Sequence, residues 1–133
     1  MLVFNKNKFR GVDGTVIRDA EHIEDHGSAE EIGRVRLGKL CLYYRDLGRQ
    51  YFVPYPYIDR AYGKISDVHP DDSPAYYYYR LILVHDGKEF ANLIFDRQEE
   101  VTQILDRLVV LSPDMKRGYE APPETKKKSW FSQ

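Results

Sequence analysis

This chain of 133 residues has very little cysteine: Cys41 is the only one, so no disulfide can form within the chain. A chain without disulfides is typical of a reducing compartment. It also lacks an apolar run long enough to form a membrane helix, and its first residues contain no apolar segment of signal-peptide length. These absences predict a cytoplasmic protein.

An excess of charge of one sign is missing as well. Twenty basic and 21 acidic residues give a formal net charge of −1, so no overall basic field would attract nucleic acid. The sequence contains no GxSxG, HExxH, phosphate-loop or GxGxxG pattern, which are the common marks of catalytic and nucleotide sites. We therefore expect no enzyme, no cofactor and no nucleic-acid partner.

The residues with chemical potential have simpler structural interpretations. His22 and His26 are four residues apart, and a helix would place both rings on one face, but no third metal ligand is in register with them. Cys41 lies inside a predicted strand with no neighbouring base, which favours a small buried core residue over a nucleophile. We expect no catalytic residue, no cofactor-binding residue and no metal site.

Tyrosine is abundant, with 11 residues, and its half-apolar ring suits a strand that is partly buried. The second half of the chain predicts a strand at about 76–84, a hairpin turn at Asp86-Gly87, a strand at about 89–95 and a helix over 96–111. Asp96 is the expected N-cap of this helix, with Glu99 completing a capping box. One apolar stripe follows the helical period: Val101, Ile104, Leu105, Leu108 and Leu111.

The first half predicts further strands. Residues 34–46 alternate with apolar residues on both faces, which is typical of a strand that is central or covered on both sides. After a turn at residues 46–49, residues 51–58 carry two prolines and predict an edge or bulged strand, and a strand resumes at 61–65. Ser28 and Glu31 indicate a helical turn near 28–32. The chain thus predicts one domain over 1–113, in which 1–33 are either first strands or an added N-terminal extension, and a flexible tail over 114–133.

The fold class predicted is mainly β (α+β), a strongly bent antiparallel sheet or partly open barrel capped by one C-terminal helix. This order of strands and helix resembles pleckstrin-homology-like domains, in particular the small bacterial PH-like and GRAM-like ones. The resemblance rests on three stretches: GKLCLYYRD, YFVPYPYIDRAYGKI and YYYYRLILVHDGKEFANLIFDRQEEVTQILDRL. It covers roughly residues 34–111 and implies a helix that plugs one end of the barrel.

Two kinds of binding residue follow from these considerations. Outward tyrosines are candidate partner-binding residues, because tyrosine offers a large contact area at low entropy cost: Tyr51, Tyr55, Tyr57, Tyr76 and Tyr78. The resemblance implies an anion or lipid contact at basic residues around the first turn, namely Lys39, Arg45 and Arg49. The leading hypothesis is a non-enzymatic domain that binds a protein partner or itself through strand edges and tyrosines. The alternatives are peripheral binding to anionic lipid, as a weak membrane contact, and a small enzyme with an unrecognised site.

Overall fold

The computed structural model describes residues 8–68 and 76–118. This part of the chain is mainly β, with two sheets, two α-helices and a short 3₁₀ turn at Tyr55–Tyr57. The elements in chain order are β1 Phe9–Arg10, β2 Val16–Ile17, α1 Ala20–Gly27, β3 Glu30–Ile32, β4 Val35–Leu37, β5 Cys41–Asp46, β6 Arg49–Pro54, β7 Arg60–Val68, β8 Tyr76–His85, β9 Lys88–Phe95, α2 Gln98–Leu111 and β10 Lys116–Arg117.

The first sheet has six strands in the order β2-β1-β6-β5-β4-β3. Its centre is the hairpin of β5 and β6, and all its neighbours pair antiparallel except β1 and β6, which are parallel. The second sheet has four strands in the order β10-β7-β8-β9, with β10 parallel to β7 and the rest antiparallel. The described residues are mainly β with two helices, so the predicted α+β class is confirmed. Neither sheet closes into a barrel in the described residues.

The main core lies between the inner faces of the two sheets and is closed by α2. Helix α2 contributes four of the five residues of the predicted stripe to this core, namely Val101, Ile104, Leu105 and Leu108, and Leu111 packs partly against it. The stripe could be predicted from the sequence because its apolar residues are spaced three and four positions apart, and such positions share one helix face.

Strand β5 is apolar on both sides, as its sequence predicts. Leu42 and Tyr44 face the main core, whereas Cys41 and Tyr43 join Phe9 in a second, smaller cluster on the opposite face of the first sheet. The second cluster also receives a residue from α1, so this helix covers the outer face. The prediction of a strand covered on both sides is therefore confirmed.

Two predictions about strands are wrong, one in the bounds of the strand and one in its place in the sheet. Residues 34–46 do not form one strand: β4 ends at Leu37, the chain turns at residues 38–40, and β5 begins at Cys41. Residues 51–58 are not an edge strand, because β6 lies between β1 and β5 and ends at Pro54. The prolines are accommodated at the end of the strand and in the 3₁₀ turn, where no ladder donor is required.

The N-terminal third forms a helix where the sequence predicts only one helical turn further on. Asp19 is the N-cap of α1 and accepts from the backbone N–H of His22, whereas Ser28 is the C-cap. The capping-box prediction at Ser28 is wrong because residues 30–32 extend into β3. In the described portion of residues 1–33 the chain forms the short strands β1, β2 and β3 and the helix α1.

Helix α2 begins two residues later than expected. Its N-cap is Arg97, which makes no side-chain cap hydrogen bond, so the prediction of Asp96 as N-cap is wrong. At the other end, Lys116 and Arg117 pair with Arg60 and Ala61 as β10. Residues 116–117 of the predicted tail therefore belong to the second sheet. Residues 119–133 lie outside the described part of the chain.

Candidate functional site

Two hairpin turns in the described residues, β5–β6 and β8–β9, have nearly the same backbone conformation. Asp86 and Gly87 have φ of 51° and 76°, and Leu47 and Gly48 have φ of 52° and 76°. Two positive φ values in succession define the turn that favours Asn-Gly or Asp-Gly, because other side chains are strained there. The β8–β9 turn uses the favoured pair, whereas the β5–β6 turn places a leucine in the strained position.

That leucine is also the most exposed large apolar side chain described, at 91% of its full accessible surface. A strained backbone conformation at a non-glycine residue points to a functional demand when nothing in the fold requires that residue. Leu47 makes no core contact that would require it, since it projects from the end of the first sheet. Sequence analysis missed Leu47, although an apolar residue before the glycine of a two-residue turn is a visible signal.

Three arginines and Asp46 lie near Leu47 at this turn. Successive strand residues face opposite sides, and Arg49 pairs with Asp46, so Arg45 and Arg49 lie on opposite faces of the hairpin. Arg34, from the turn between β3 and β4, donates to the Arg45 carbonyl oxygen at 2.6 Å and approaches Asp46 at 3.4 Å. We call Leu47 with Arg34, Arg45 and Arg49 the hairpin tip.

A groove of about 740 Å³ runs beside the hairpin tip, between α1 and the outer face of the first sheet. Arg34 and Arg45 line it together with Arg36. The guanidinium of Arg36 is already engaged: it donates to Glu31 at 2.9 and 3.2 Å and to the His26 carbonyl oxygen at 2.9 Å. Three arginines thus line the groove, and Arg34 and Arg36 are each engaged with acceptors of the fold.

The structure does not bring Lys39 together with the other two predicted anion contacts. Lys39 lies in the turn before β5, and Arg45 lies near the far end of that six-residue strand. At about 3.3 Å per residue, the six residue steps from Lys39 to Arg45 span at most about 20 Å. Lys39 instead lines a second cleft, while Arg45 and Arg49 both lie at the hairpin tip, on opposite faces of the hairpin.

Most of the predicted partner-binding tyrosines are not open to solvent. Tyr55 is buried and donates its hydroxyl hydrogen to the Gly38 carbonyl oxygen. Tyr51 is half-buried and stacks on Tyr44, with ring centroids 5.0 Å apart. These two residues hold the first sheet together and offer little surface to a partner.

The remaining tyrosines differ among themselves. Tyr57 stacks on His85, with ring centroids 3.7 Å apart, and packs edge-on against Phe90. Tyr78 is half-buried on the outer face of the second sheet. Tyr76 begins β8, and its side chain lies outside the described residues. The structure therefore does not gather the five tyrosines into one surface.

A second cleft, of about 1090 Å³, lies at the end of β5 opposite the hairpin tip. Its lining mixes cations and carboxylates from several elements: Lys39, Arg60, Lys116, Asp59, Glu89 and Asp114. Glu89 accepts from the Tyr62 hydroxyl at 2.6 Å, and Asp59 accepts from the backbone N–H of Asp86 at 2.6 Å. These carboxylates are held by the fold, so they do not form a ready acid–base pair.

One buried carboxylate organises the N-terminal region, and sequence analysis missed it. Asp25 of α1 is buried and accepts from the backbone N–H groups of Lys39 at 2.7 Å and Leu40 at 3.1 Å. It also accepts from the Tyr43 hydroxyl at 2.7 Å. A buried charge is stable when hydrogen-bond donors surround it, so Asp25 is an anchor that fixes α1 to the β4–β5 turn.

Cys41 and Tyr43 are unsuited to nucleophilic chemistry in this setting. Burial raises the pKa of the Cys41 thiol to about 11, so the thiolate is scarce near neutral pH. Burial, followed by the hydrogen bond to Asp25, raises the pKa of Tyr43 well above its usual range. The prediction that Cys41 is a small core residue is confirmed by its 2% exposure.

The two histidines of α1 have separate structural roles. The Nδ1 atom of His22 lies 2.6 Å from the carboxylate of Asp19 at the start of the helix, whereas the His26 ring packs against Phe9 and Tyr43. Within residues 8–68 and 76–118, no three His, Cys, Asp or Glu side chains are placed to hold a metal ion.

His26 predicts a measurable dependence of stability on pH. Burial, followed by the positive charge of Arg36, lowers the pKa of His26 below 6.5 in the folded state. Protonation is therefore easier in the unfolded chain, so this contribution to stability is complete above 6.5 and is lost as pH falls from there towards the lowered value. In urea unfolding at a series of pH values, His26→Gln should reduce the fall in the free energy of unfolding below 6.5. An unchanged fall would contradict the assignment to His26.

No protein-family model, no curated protein and no solved structure matches this chain. Neither described helix is long and apolar enough to cross a lipid bilayer. The functional inference therefore depends on the geometry of the hairpin tip, the clefts and the strand edges.

Proposed function

We propose that this chain is a non-enzymatic, cytoplasmic PH-like binding domain that contacts anionic membrane surfaces through its hairpin tip. The observation that carries the proposal is Leu47, which is 91% exposed in a strained turn position, with Arg45 and Arg49 two residues away on either side. The contact combines insertion of one apolar side chain with attraction of arginines to acidic headgroups.

The PH-like assignment is supported by the order of the elements. Four strands joined by short turns, β3 to β6, precede three antiparallel strands, β7 to β9, and then a single amphipathic helix that packs on the core between the sheets. The additional elements β1, β2 and α1 come before this unit and cover the outer face of the first sheet.

The energies involved suit a reversible contact. Burying one leucine side chain contributes about 1.5–3 kcal/mol, and each arginine near an anionic leaflet adds about 1 kcal/mol. Arg34 is ion-paired with Asp46 at 3.4 Å, so one leucine and the other two arginines give a total of about 3.5–5 kcal/mol, which corresponds to weak peripheral binding. A net charge of −1 does not prevent this, because headgroups within a Debye length respond to the local cations.

The competing functions have less support from the described residues. The tyrosines predicted to bind a partner are largely engaged within the fold, as Tyr55 and Tyr57 show. For an enzyme, the larger cleft offers carboxylates that already accept hydrogen bonds, and the single thiol, Cys41, is buried elsewhere. A protein partner remains a second candidate because of one free strand edge, which is considered below.

Leu47→Asn tests the membrane proposal. Asparagine is a preferred residue at this turn position, so we expect the free energy of unfolding to stay equal or to rise by about 0.5–1 kcal/mol. Binding to vesicles of phosphatidylcholine with phosphatidylserine should nevertheless fall about tenfold, because the inserted side chain is lost. Co-sedimentation with vesicles and urea unfolding measure the two effects separately.

Val110→Asn is the matched control, since Val110 is a 75% exposed apolar residue on α2 that lies outside the hairpin tip. It should leave vesicle binding unchanged. Vesicles of phosphatidylcholine alone should bind the wild-type chain weakly, and added salt should weaken the anionic binding. Equal binding by wild type and Leu47→Asn would refute the proposal.

A further inference from the structure

Strand β9 forms an edge of the second sheet that no described strand covers. It pairs with β8 on one side, and it is the last strand of the sheet order on the other. It spans eight residues without proline, and its ladder with β8 shifts register once, at a bulge that places Phe90 between the paired residues Glu89 and Ala91. An edge of this kind presents unpaired backbone N–H and C=O groups that another strand can complete.

Charges at the two ends of β9 indicate which strand fits. Lys88 begins the strand and Asp96 follows its last residue; both are exposed, and neither makes an ion pair with another described residue. Antiparallel pairing of β9 with β9 of a second copy, centred on Asn92, brings each Lys88 opposite the Asp96 of the other chain. Opposite charges at facing positions stabilise an antiparallel pair and fix its register.

We infer that β9 is a self-association edge, on which a second copy of this chain docks antiparallel in the register that pairs Asn92 with Asn92. The second sheets of the two copies then join into one continuous sheet across a two-fold axis. Such an interface is closed, because each copy uses its edge once and no further copy can add. The inference does not depend on membrane binding.

A cysteine at the centre of the register gives a direct test. Facing residues of an antiparallel pair have Cα atoms about 4.5–5.5 Å apart, which is within the range of a disulfide. In the full-length chain, Asn92→Cys should therefore form a disulfide-linked dimer under mild oxidation with oxidised glutathione, visible on a non-reducing gel. Wild type controls for Cys41, which is buried and should not cross-link.

Ile94→Cys is the register control. In the proposed pairing the two copies of residue 94 are offset by four residues, about 13 Å, which is too far for a disulfide. We expect at least ten times more cross-linked dimer from Asn92→Cys than from Ile94→Cys. Cross-linking at 94 instead of 92, or equal background at both, would overturn the inference.

Charge reversal provides a test without oxidation. Lys88→Glu and Asp96→Lys should each weaken the dimer about tenfold in sedimentation equilibrium, because each places like charges opposite one another at two sites. The double variant should restore dimerisation to near the wild-type level. A wild-type chain that stays monomeric at high concentration would exclude a second copy and leave the edge to a strand of a different protein.

Discussion

Replacement of Asp25 by alanine is expected to lower the free energy of unfolding by about 3–5 kcal/mol, because it removes the acceptor of one buried hydroxyl and of three backbone N–H groups that are buried or partly buried, and each buried donor left unpaired costs about 1–3 kcal/mol. The donors are the backbone N–H groups of Lys39, Leu40 and Cys41, at 2.7, 3.1 and 3.4 Å from the carboxylate, and the hydroxyl of Tyr43 at 2.7 Å. The measurement is urea unfolding of wild type and Asp25→Ala followed by circular dichroism.

Two further variants distinguish this anchor from a general effect on α1. Glu24→Ala changes the neighbouring exposed carboxylate and should alter stability by no more than about 0.5 kcal/mol. Tyr43→Phe removes one donor and leaves the carboxylate, so it should cost about 1.5–3 kcal/mol, less than Asp25→Ala. Equal stability of Asp25→Ala and Glu24→Ala would show that the buried carboxylate does not stabilise the fold.

The glycine of the same turn gives an independent check of the anchor. A β-carbon on Gly38 would meet the Asp25 carboxylate, whereas one on Gly27 would meet no heavy atom within 4 Å. Gly38 is therefore the position where the chain and the carboxylate approach most closely, and alanine there should displace α1.

Leu108→Ala is expected to produce the other large loss, about 2–5 kcal/mol. Leu108 is fully buried in the main core, where α2 meets both sheets, so a shorter side chain leaves a cavity as well as less buried apolar area. Urea unfolding measures the change, and the slope of the transition should stay close to that of wild type if the fold is retained.

Val109→Ala is the matched control on the same helix. Val109 is the next residue and is exposed, so the change removes little packing and improves helix propensity. We expect its stability to lie within about 0.5 kcal/mol of wild type. A comparable loss from both variants would mean that α2 does not bury the predicted stripe.

Patterns with a short period could be predicted from the sequence. The stripe of α2, the Asp86-Gly87 turn and the two-sided burial of β5 depend on residues three, four or two positions apart, and the structure has each of them. The α+β class followed from these segments. The break between β4 and β5 was missed because Gly38-Lys39 continues the alternation, and only the remote Asp25 explains why the chain turns there.

The candidate site was only partly predictable. Arg45 and Arg49 were identified from their charge, but the role of Leu47 depends on its φ and its exposure, which an alternation of polar and apolar residues does not reveal. Tyr55 and Tyr57 do not share an exposed face with Tyr51, because β6 ends at Pro54 and the two residues no longer follow the alternation of side chains along the strand. Lys39 and Arg45 do not form one anion contact, because Lys39 lies in the turn before β5 and Arg45 lies near the other end of that strand.

The contacts of Asp25 also bear on the order in which the chain assembles. All of its partners lie within 18 residues along the sequence, so closing this loop costs little chain entropy. By comparison, Arg107 of α2 reaches Glu30 of β3 across 77 residues. Short-range contacts form sooner than long-range ones. The segment from α1 to β5 can thus form before α2 docks against β3.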